Sequence, residues 1–331
     1  MAGGGDHRRS ANASLSRARQ RPLPVDVLLQ QVINGLILGC LYALVALGYT
    51  MVYGILELIN FAHGEIVMLG AMVAVTVLAL LTAAGVPGLL ALPLALAAAA
   101  SACVLTGVLV ERVAYRPLRG APRLAPLITA IGVSIVLQNL AMIIWGRQYL
   151  SFPPVLEVEV YDWLGASVTN LQIIIVAVAA TIMAGLLLLV HRTRLGRAMR
   201  ATAQNREVAG LMGVDVNRVI AATFAVGSAL AAVAGLLVAA YYGIAHYNMG
   251  FILGLKAFTA AVLGGIGNIP GALLGGILLG VIESLGAGYI GDLTGGFLGS
   301  HYQDIFAFLV LILVIVFRPS GLLGERVGER A

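Results

Sequence analysis

Charge is what this 331-residue chain has least of: 11% of its residues are Asp, Glu, Lys or Arg, against roughly 25% in an average soluble domain. With 60% hydrophobic residues and a mean hydropathy of +0.98, it reads as an all-α polytopic membrane protein. Cysteine is nearly absent too. Cys40 and Cys103 fall in separate apolar segments without a Cys or His at ligand spacing, so neither a disulfide framework nor a zinc site is indicated and both read as packing residues. Lysine occurs once, at Lys256, after Leu255 and before Ala257. A phosphate-binding loop needs Gly before its lysine and Ser or Thr after it, which excludes that route to ATP hydrolysis. His63 and Glu65 lack a second histidine four positions on, where Val67 stands, and a metalloprotease reading fails with it. With no nucleophile–base or metal constellation, no catalytic residue, metal or cofactor is expected.

What the chain does have is glycine, 41 of them, together with long alanine runs, the composition of helices whose backbones approach closely. Residues 1–24 carry Arg8, Arg9, Arg17, Arg19 and Arg21 without periodicity and end in Pro22 and Pro24, so they read as a disordered basic tail. The run from 27 to 53 is too long for the apolar core of a secretory signal and reads as the first spanning helix. Apolar segments follow at 62–84, 89–111, 125–145, 171–190, 219–242, 251–266, 269–291 and 303–317. Most approach the ~20 residues that a bilayer demands. The segment 251–266 is short and Gly-rich, and a full, tilted, broken or re-entrant element fits it equally. The membrane region thus covers 25–318, with about eight to nine transmembrane helices, and 319–331 forms a tail.

Although the net charge is +5, the arginines lie in segment-flanking loops rather than on an aromatic-studded face, which argues against nucleic acid as a partner. Arginine-rich loops stay cytoplasmic. This places Arg112, Arg116, Arg119 and Arg123, the stretch 191–218, and the tail with Arg318, Arg326 and Arg330 inside, and Glu157, Glu159 and Asp162 outside. Three crossings before Arg112 then put the basic N-terminal tail outside, against its own charge. Either 27–60 crosses twice or the tail is an exception, such as an over-extended start.

The longest internal polar break, 191–218, has one sign: Arg192, Arg194, Arg197, Arg200, Arg206 and Arg218 against Glu207 and Asp215. A solvated connector is one reading. A more specific one is a short helix capped by Asn205, with Glu207 in its first turn, an apolar stripe of Val208, Leu211 and Met212, and a stop at Gly213. Held outside the bilayer, such a stripe needs a partner to pack against.

Polar residues inside the apolar segments are few and costly, from ~2.5 kcal/mol upward each. Asn60, His63 and Glu65 stand together around Gly64, either as an interfacial helix start capped by Asn60 or as part of a translocation path. A second group runs from Lys256 through Asn268 to Gly271, where Pro270 and the glycines at 267 and 271 must break a helix. Asn, a turn and Gly precede an apolar helix in both halves, a pairing that suits an internal repeat around a central path. Gln138, Asn139 and Glu283 lie mid-segment and serve as lining or as interhelical glue.

Several long runs resemble one family: GYTMVYGILELINFAHGEIVMLGA, ERVAYRPLRGAPRL, LITAIGVSIVLQN, the stretch from Gly196 to Leu237, and KAFTAAVLGGIGNIPGALLGGILLG. They are similar to the high-affinity branched-chain amino-acid ABC importer permeases of the LivH type, from about Leu28 to Leu323. The resemblance implies a second related, LivM-like permease subunit, two cytoplasmic ATPase subunits and an external binding protein presenting leucine, isoleucine or valine. It also implies that Arg194–Gly213 carries the coupling helices, with Arg194, Gly196, Arg197, Arg200, Glu207, Leu211 and Gly213 facing the ATPase, and a path near Asn60, His63, Glu65, Lys256 and Asn268. Importers of urea, short-chain amides or another amino acid share the architecture and are the alternative within the class, and a proton-coupled carrier using Glu65 and Glu283 is the alternative of another class.

Overall fold

The computed structural model describes residues 24–122, 124–155, 157–163, 165–293, 303–318 and 320–324. The expected N-terminal tail up to residue 23, Arg123, Arg326 and Arg330 lie outside them. The chain begins with α1 (Pro24–Leu56), α2 (His63–Ala83) and α3 (Gly88–Val110), then passes through a π-turn and a 3-10 turn to α4 (Leu124–Trp145). Next come α5 (Asn170–Arg192), the short α6 (Arg194–Gln204) and α7 (Arg206–Leu211), and α8 (Val216–Tyr242). It closes with α9 (Met249–Gly264), α10 (Ile269–Leu293) and α11 (Gln303–Phe317). Among the described residues seven helices are long and apolar enough to cross a membrane, and α9 and α11 are shorter apolar helices, in line with eight to nine.

Alpha-helices dominate because a bilayer leaves no water for unpaired backbone groups. The exceptions are small and lie at one end of the bundle. There β1 (Leu150–Ser151) pairs with β4 (Ile244–Ala245), and β2 (Val160–Trp163) pairs antiparallel with β3 (Ala166–Thr169). Thr169 then starts α5 with a reciprocal cap, its hydroxyl accepting from Gln172 N–H while the Gln172 side chain accepts from Thr169 N–H.

Because α1 is one uninterrupted helix of 33 residues, about 50 Å long at 1.5 Å per residue, the stretch 27–60 does not cross twice. Near its start the Gln30 side chain bonds the backbone of Ser167. At its far end Arg206 donates to the carbonyls of Ile55 and Leu56. The start of α1 therefore lies with the acidic connection, and its end lies with the arginine-rich loops. The C-terminal segment joins the latter, since Leu322 and Leu323 N–H groups donate to Leu263 and Gly264. The short α9 links the two ends: His246 just before it meets the Arg147 carbonyl at 3.2 Å, and Gly265 after it turns with φ of 105°.

Glycine decides where the helices cross. A Cβ on Gly35 would lie 2.6 Å from Val281 Cα, and one on Gly39 2.6 Å from Ile277 Cα. From the opposite side a Cβ on Gly276 would lie 2.6 Å from the Ala43 backbone nitrogen. α1 and α10 thus pack antiparallel, backbone on backbone, through dispersion contacts that lipid cannot replace as closely. α1 is the hub: 83% of its most apolar window is buried, against 17% for α4 and α5, whose outer faces carry Ile128, Ile135, Ile143 and Ile173 for lipid or a partner.

Candidate functional site

At the arginine-rich end the polypeptide leaves α5 through Thr193, whose hydroxyl accepts the Gly196 N–H at 3.0 Å. A side chain at Gly196 would run into the Val190 carbonyl, so glycine is required for α6 to fold back under α5. Met199 and Thr202 point into the bundle, Arg200 donates to Val190 O at 2.6 Å, and Arg194, Arg197 and Arg200 are exposed. Asn205 then caps α7, its Oδ1 accepting from the N–H groups of Glu207 and Val208 at 3.0 Å each. Only Ala209 of α7 is buried. Val208, Leu211 and Met212 are 52%, 87% and 80% exposed, and Gly213 takes φ of 84°, the left-handed stop that lets the chain turn into α8.

Arg206 joins this capped helix to the hub. Its Nη2 reaches Ile55 O at 3.0 Å and Leu56 O at 2.7 Å, satisfying carbonyls that α1 leaves orphaned at its C-terminus. Beside it lies a cleft of about 410 Å³, walled by Ile55–Leu58, Leu118, Arg119, Pro126 and Thr202–Glu207. Under the cleft Glu111 is fully buried between Arg116, at 3.3 Å, and Arg119. Arg119 also donates to Asn217 at 2.5 Å, and burial pulls its guanidinium below the ordinary value while Glu111 opposes the change. The ionic node fixes the turn after α3 to the start of α8. Sequence reasoning did not single out Glu111, and the Asn217 that completes the node lies 98 residues from Arg119.

Asn60, His63 and Glu65 come together at the break between α1 and α2. The helix cap there is Ala62 rather than Asn60. Asn60 instead accepts the Ala62 N–H at 3.1 Å and the Tyr115 hydroxyl at 3.0 Å. His63 packs edge-on against Tyr49 at 4.9 Å in a notch that any side chain at position 48 would fill. Glu65 accepts from Ser134 at 3.2 Å, and a Cβ on Gly250 would lie 2.5 Å from its other oxygen. All three residues are at most 2% exposed. Asn60 Nδ2, His63 Nε2 and Glu65 Oε2 have no hydrogen-bond partner among the described residues, an unusual concentration of unsatisfied buried polar atoms.

Lys256 belongs to the opposite face of α9. Its Nζ sits 2.7 Å from Glu283 Oε1 and 3.3 Å from the Tyr42 hydroxyl, and that hydroxyl donates to Glu283 Oε2 at 2.9 Å. The triad ties α1, α9 and α10 together. Asn268 is placed elsewhere, at the arginine-rich end, where Oδ1 accepts the Gly271 N–H at 3.0 Å and Nδ2 donates to Leu323 O at 2.8 Å. Both breaks expected before apolar helices are present, but the second covers 265–268, with Pro270 and Gly271 not in the break but in the first turn of α10, where proline's missing N–H has no intrahelical partner to lose, and the two asparagines do different work. Gln138 bonds Asn248 and Asn139 bonds its own helix.

A multi-pass bundle with buried ionisable groups at helix breaks, and with a capped helix exposed at one end, is the architecture of an integral membrane protein with a docking surface outside the bilayer. The model described as "branched-chain amino acid transport system / permease component" matches residues 31–315, so the chain belongs to that family and is a multi-pass inner-membrane transport subunit. Similar relatives include the Pseudomonas aeruginosa high-affinity branched-chain amino acid transport system permease protein BraD, 48% identical over 308 residues, 90% of this chain and 96% of that one. The Escherichia coli LivH protein of the same description is 44% identical over 302 residues, with 90% and 96% coverage. The Escherichia coli ribose import permease RbsC is more distant, at 26% over 286 residues, 83% of this chain and 81% of that one. No solved structure matches the chain.

Proposed function

We propose that this chain is the permease subunit of an ATP-driven importer for leucine, isoleucine and valine. In this reading it works beside a second, LivM-like permease subunit, two cytoplasmic ATPase subunits and an external binding protein that delivers the amino acid. Substrate class is carried over from relatives 44–48% identical across 90% of the chain. The observation that carries the coupling role is the exposed stripe of Val208, Leu211 and Met212 on a helix capped by Asn205. A capped helix presenting large apolar side chains outside a bilayer is the helix-in-groove mode of docking.

Mechanism follows from what the helix touches. Closure of the ATPases on ATP would press Arg194, Arg197, Glu207 and Leu211, with Gly196 and Gly213 setting the turns on either side. Arg200 and Arg206 would carry the push to the ends of α5 and α1, since they are bonded to those carbonyls. Because α1 packs backbone to backbone on α10, a displacement of its end moves both helices together. The path then opens and closes around Asn60, His63, Glu65, Lys256 and, at its inner end, Asn268.

The test is leucine uptake in cells lacking their own branched-chain permeases, with the five-subunit system expressed from plasmids. Uptake should require this chain and both ATPases. Uptake that survives loss of the ATPases and collapses with a protonophore would overturn the reading.

A further inference from the structure

Met249, Ile252, Leu253 and Lys256 recur at the i, i+3, i+4, i+7 spacing that makes one face of a helix. That face of α9 is opposed by Val238 and Tyr242, one turn apart on α8, and by Tyr42 of α1, and together they line an open cleft of about 320 Å³. Its remaining lining is Tyr149, Ile244, His246 and Asn248, all from the connections at the acidic end. The cavity is therefore an open cleft that combines aromatic and polar groups, an aliphatic wall, and the sole lysine of the chain.

Small-molecule sites are concave and mostly apolar, with a few placed polar groups, and begin at ~300 Å³. Lipid-depth lysines are costly and, when present, face a partner or a wet path. A purely structural ion pair would not need an opening. We infer that this cavity is a transient binding site for the transported amino acid. Lys256 takes the α-carboxylate, and the wall of Ile252, Leu253 and Val238 takes the branched side chain. The inference rests on the proposed import function and adds to it where and how the permease itself recognises cargo.

The triad supplies the means of exchange. Lys256 is held by Glu283 at 2.7 Å, but Glu283 is held independently by Tyr42 at 2.9 Å. When the substrate carboxylate draws Lys256 Nζ toward the cavity, Glu283 keeps its bond to Tyr42. One carboxylate replaces another at the ammonium, no proton moves, and a zwitterion adds no net charge to the site. Arrival of cargo therefore loosens the tie between α9 and α10, and departure restores it. Affinity at such a site is weak by construction, because binding a substrate must break an existing ion pair.

The experiment uses the complete importer in proteoliposomes with saturating loaded binding protein. Ile252 is 54% exposed, so Ile252→Trp fills the wall without disturbing the buried core. The expected result is leucine uptake reduced about tenfold and valine uptake reduced about threefold or less, a selectivity shift that general damage would not produce. Equal loss of both, or no change in either, overturns the inference. Amine-reactive labelling, read at the peptide containing Lys256, gives the second measurement. 4-Methylpentanoate should slow it at least threefold, and the uncharged 4-methylpentanamide, which like it does not consume the reagent, should not. Equal protection by the amide, or protection that depends on anionic phospholipid and not on 4-methylpentanoate, sinks the carboxylate role. If the unaltered importer takes up no branched-chain amino acid at all, it is the proposed function that fails, not the site.

Discussion

Replacing Leu211 with alanine isolates the coupling surface from the fold. In this chain the side chain is 87% exposed, so its removal should leave thermal stability of the permease within ~0.5 kcal/mol, the usual range for surface positions. Against the ATPases the balance is different. Fully burying a leucine contributes ~1.5–3 kcal/mol, and at 1.4 kcal/mol per factor of ten a loss of about 2 kcal/mol weakens docking roughly thirtyfold. The assay is a titration of purified ATPase subunit onto detergent-solubilised permease pair, followed by uptake in vesicles at limiting ATPase concentration. A parallel drop in affinity and uptake, with the melting temperature unchanged, is the expected result. Affinity within threefold of the unaltered protein would refute the docking argument, because it would mean that Leu211 is as exposed in the complex as it is alone.

Three further outcomes follow from the same geometry. Gly196→Val places a side chain against the Val190 carbonyl and should cost ~1–3 kcal/mol of stability with loss of uptake, measured by thermal unfolding in detergent. Arg206→Met removes two charge-assisted bonds from the end of α1. It should cost about 2 kcal/mol and reduce uptake more than ATPase binding, since Arg206 transmits rather than docks. Lys256→Met strands Glu283 and should destabilise by ~3 kcal/mol or more, whereas the double variant with Glu283→Leu should recover most of that loss. A double-mutant cycle in detergent measures the recovery.

Features encoded within a few residues were legible before any coordinates. The caps at Asn205 and the turn at Gly213 follow from neighbours one to three positions away, and the apolar segments follow from length alone. Close helix packing was legible as glycine content, though not which glycines meet. What could not be read were contacts across long separations. Tyr42 and Glu283 are 241 residues apart, and Arg206 lies 150 residues from Leu56. Asn60 illustrates the limit in the other direction. Local rules offered it as a helix cap or as part of a path, but its oxygen accepts the Tyr115 hydroxyl from the π-turn after α3 together with the Ala62 N–H, and the helix begins two residues later than a cap at Asn60 would set it. The parity problem of the first helix was unsolvable from charge because residues before Pro24 carry the conflicting signal, while the unbroken run of α1 and the Gln30–Ser167 bond decide it.

The central claim is that this chain moves branched-chain amino acids at the expense of ATP hydrolysed by its partners. It is tested most directly by reconstituting the permease pair, the ATPases and the binding protein into sealed vesicles and following labelled leucine. Accumulation that needs ATP, is abolished by omitting the ATPases and is indifferent to a protonophore is the predicted result. Accumulation driven by a proton gradient without ATP would contradict it.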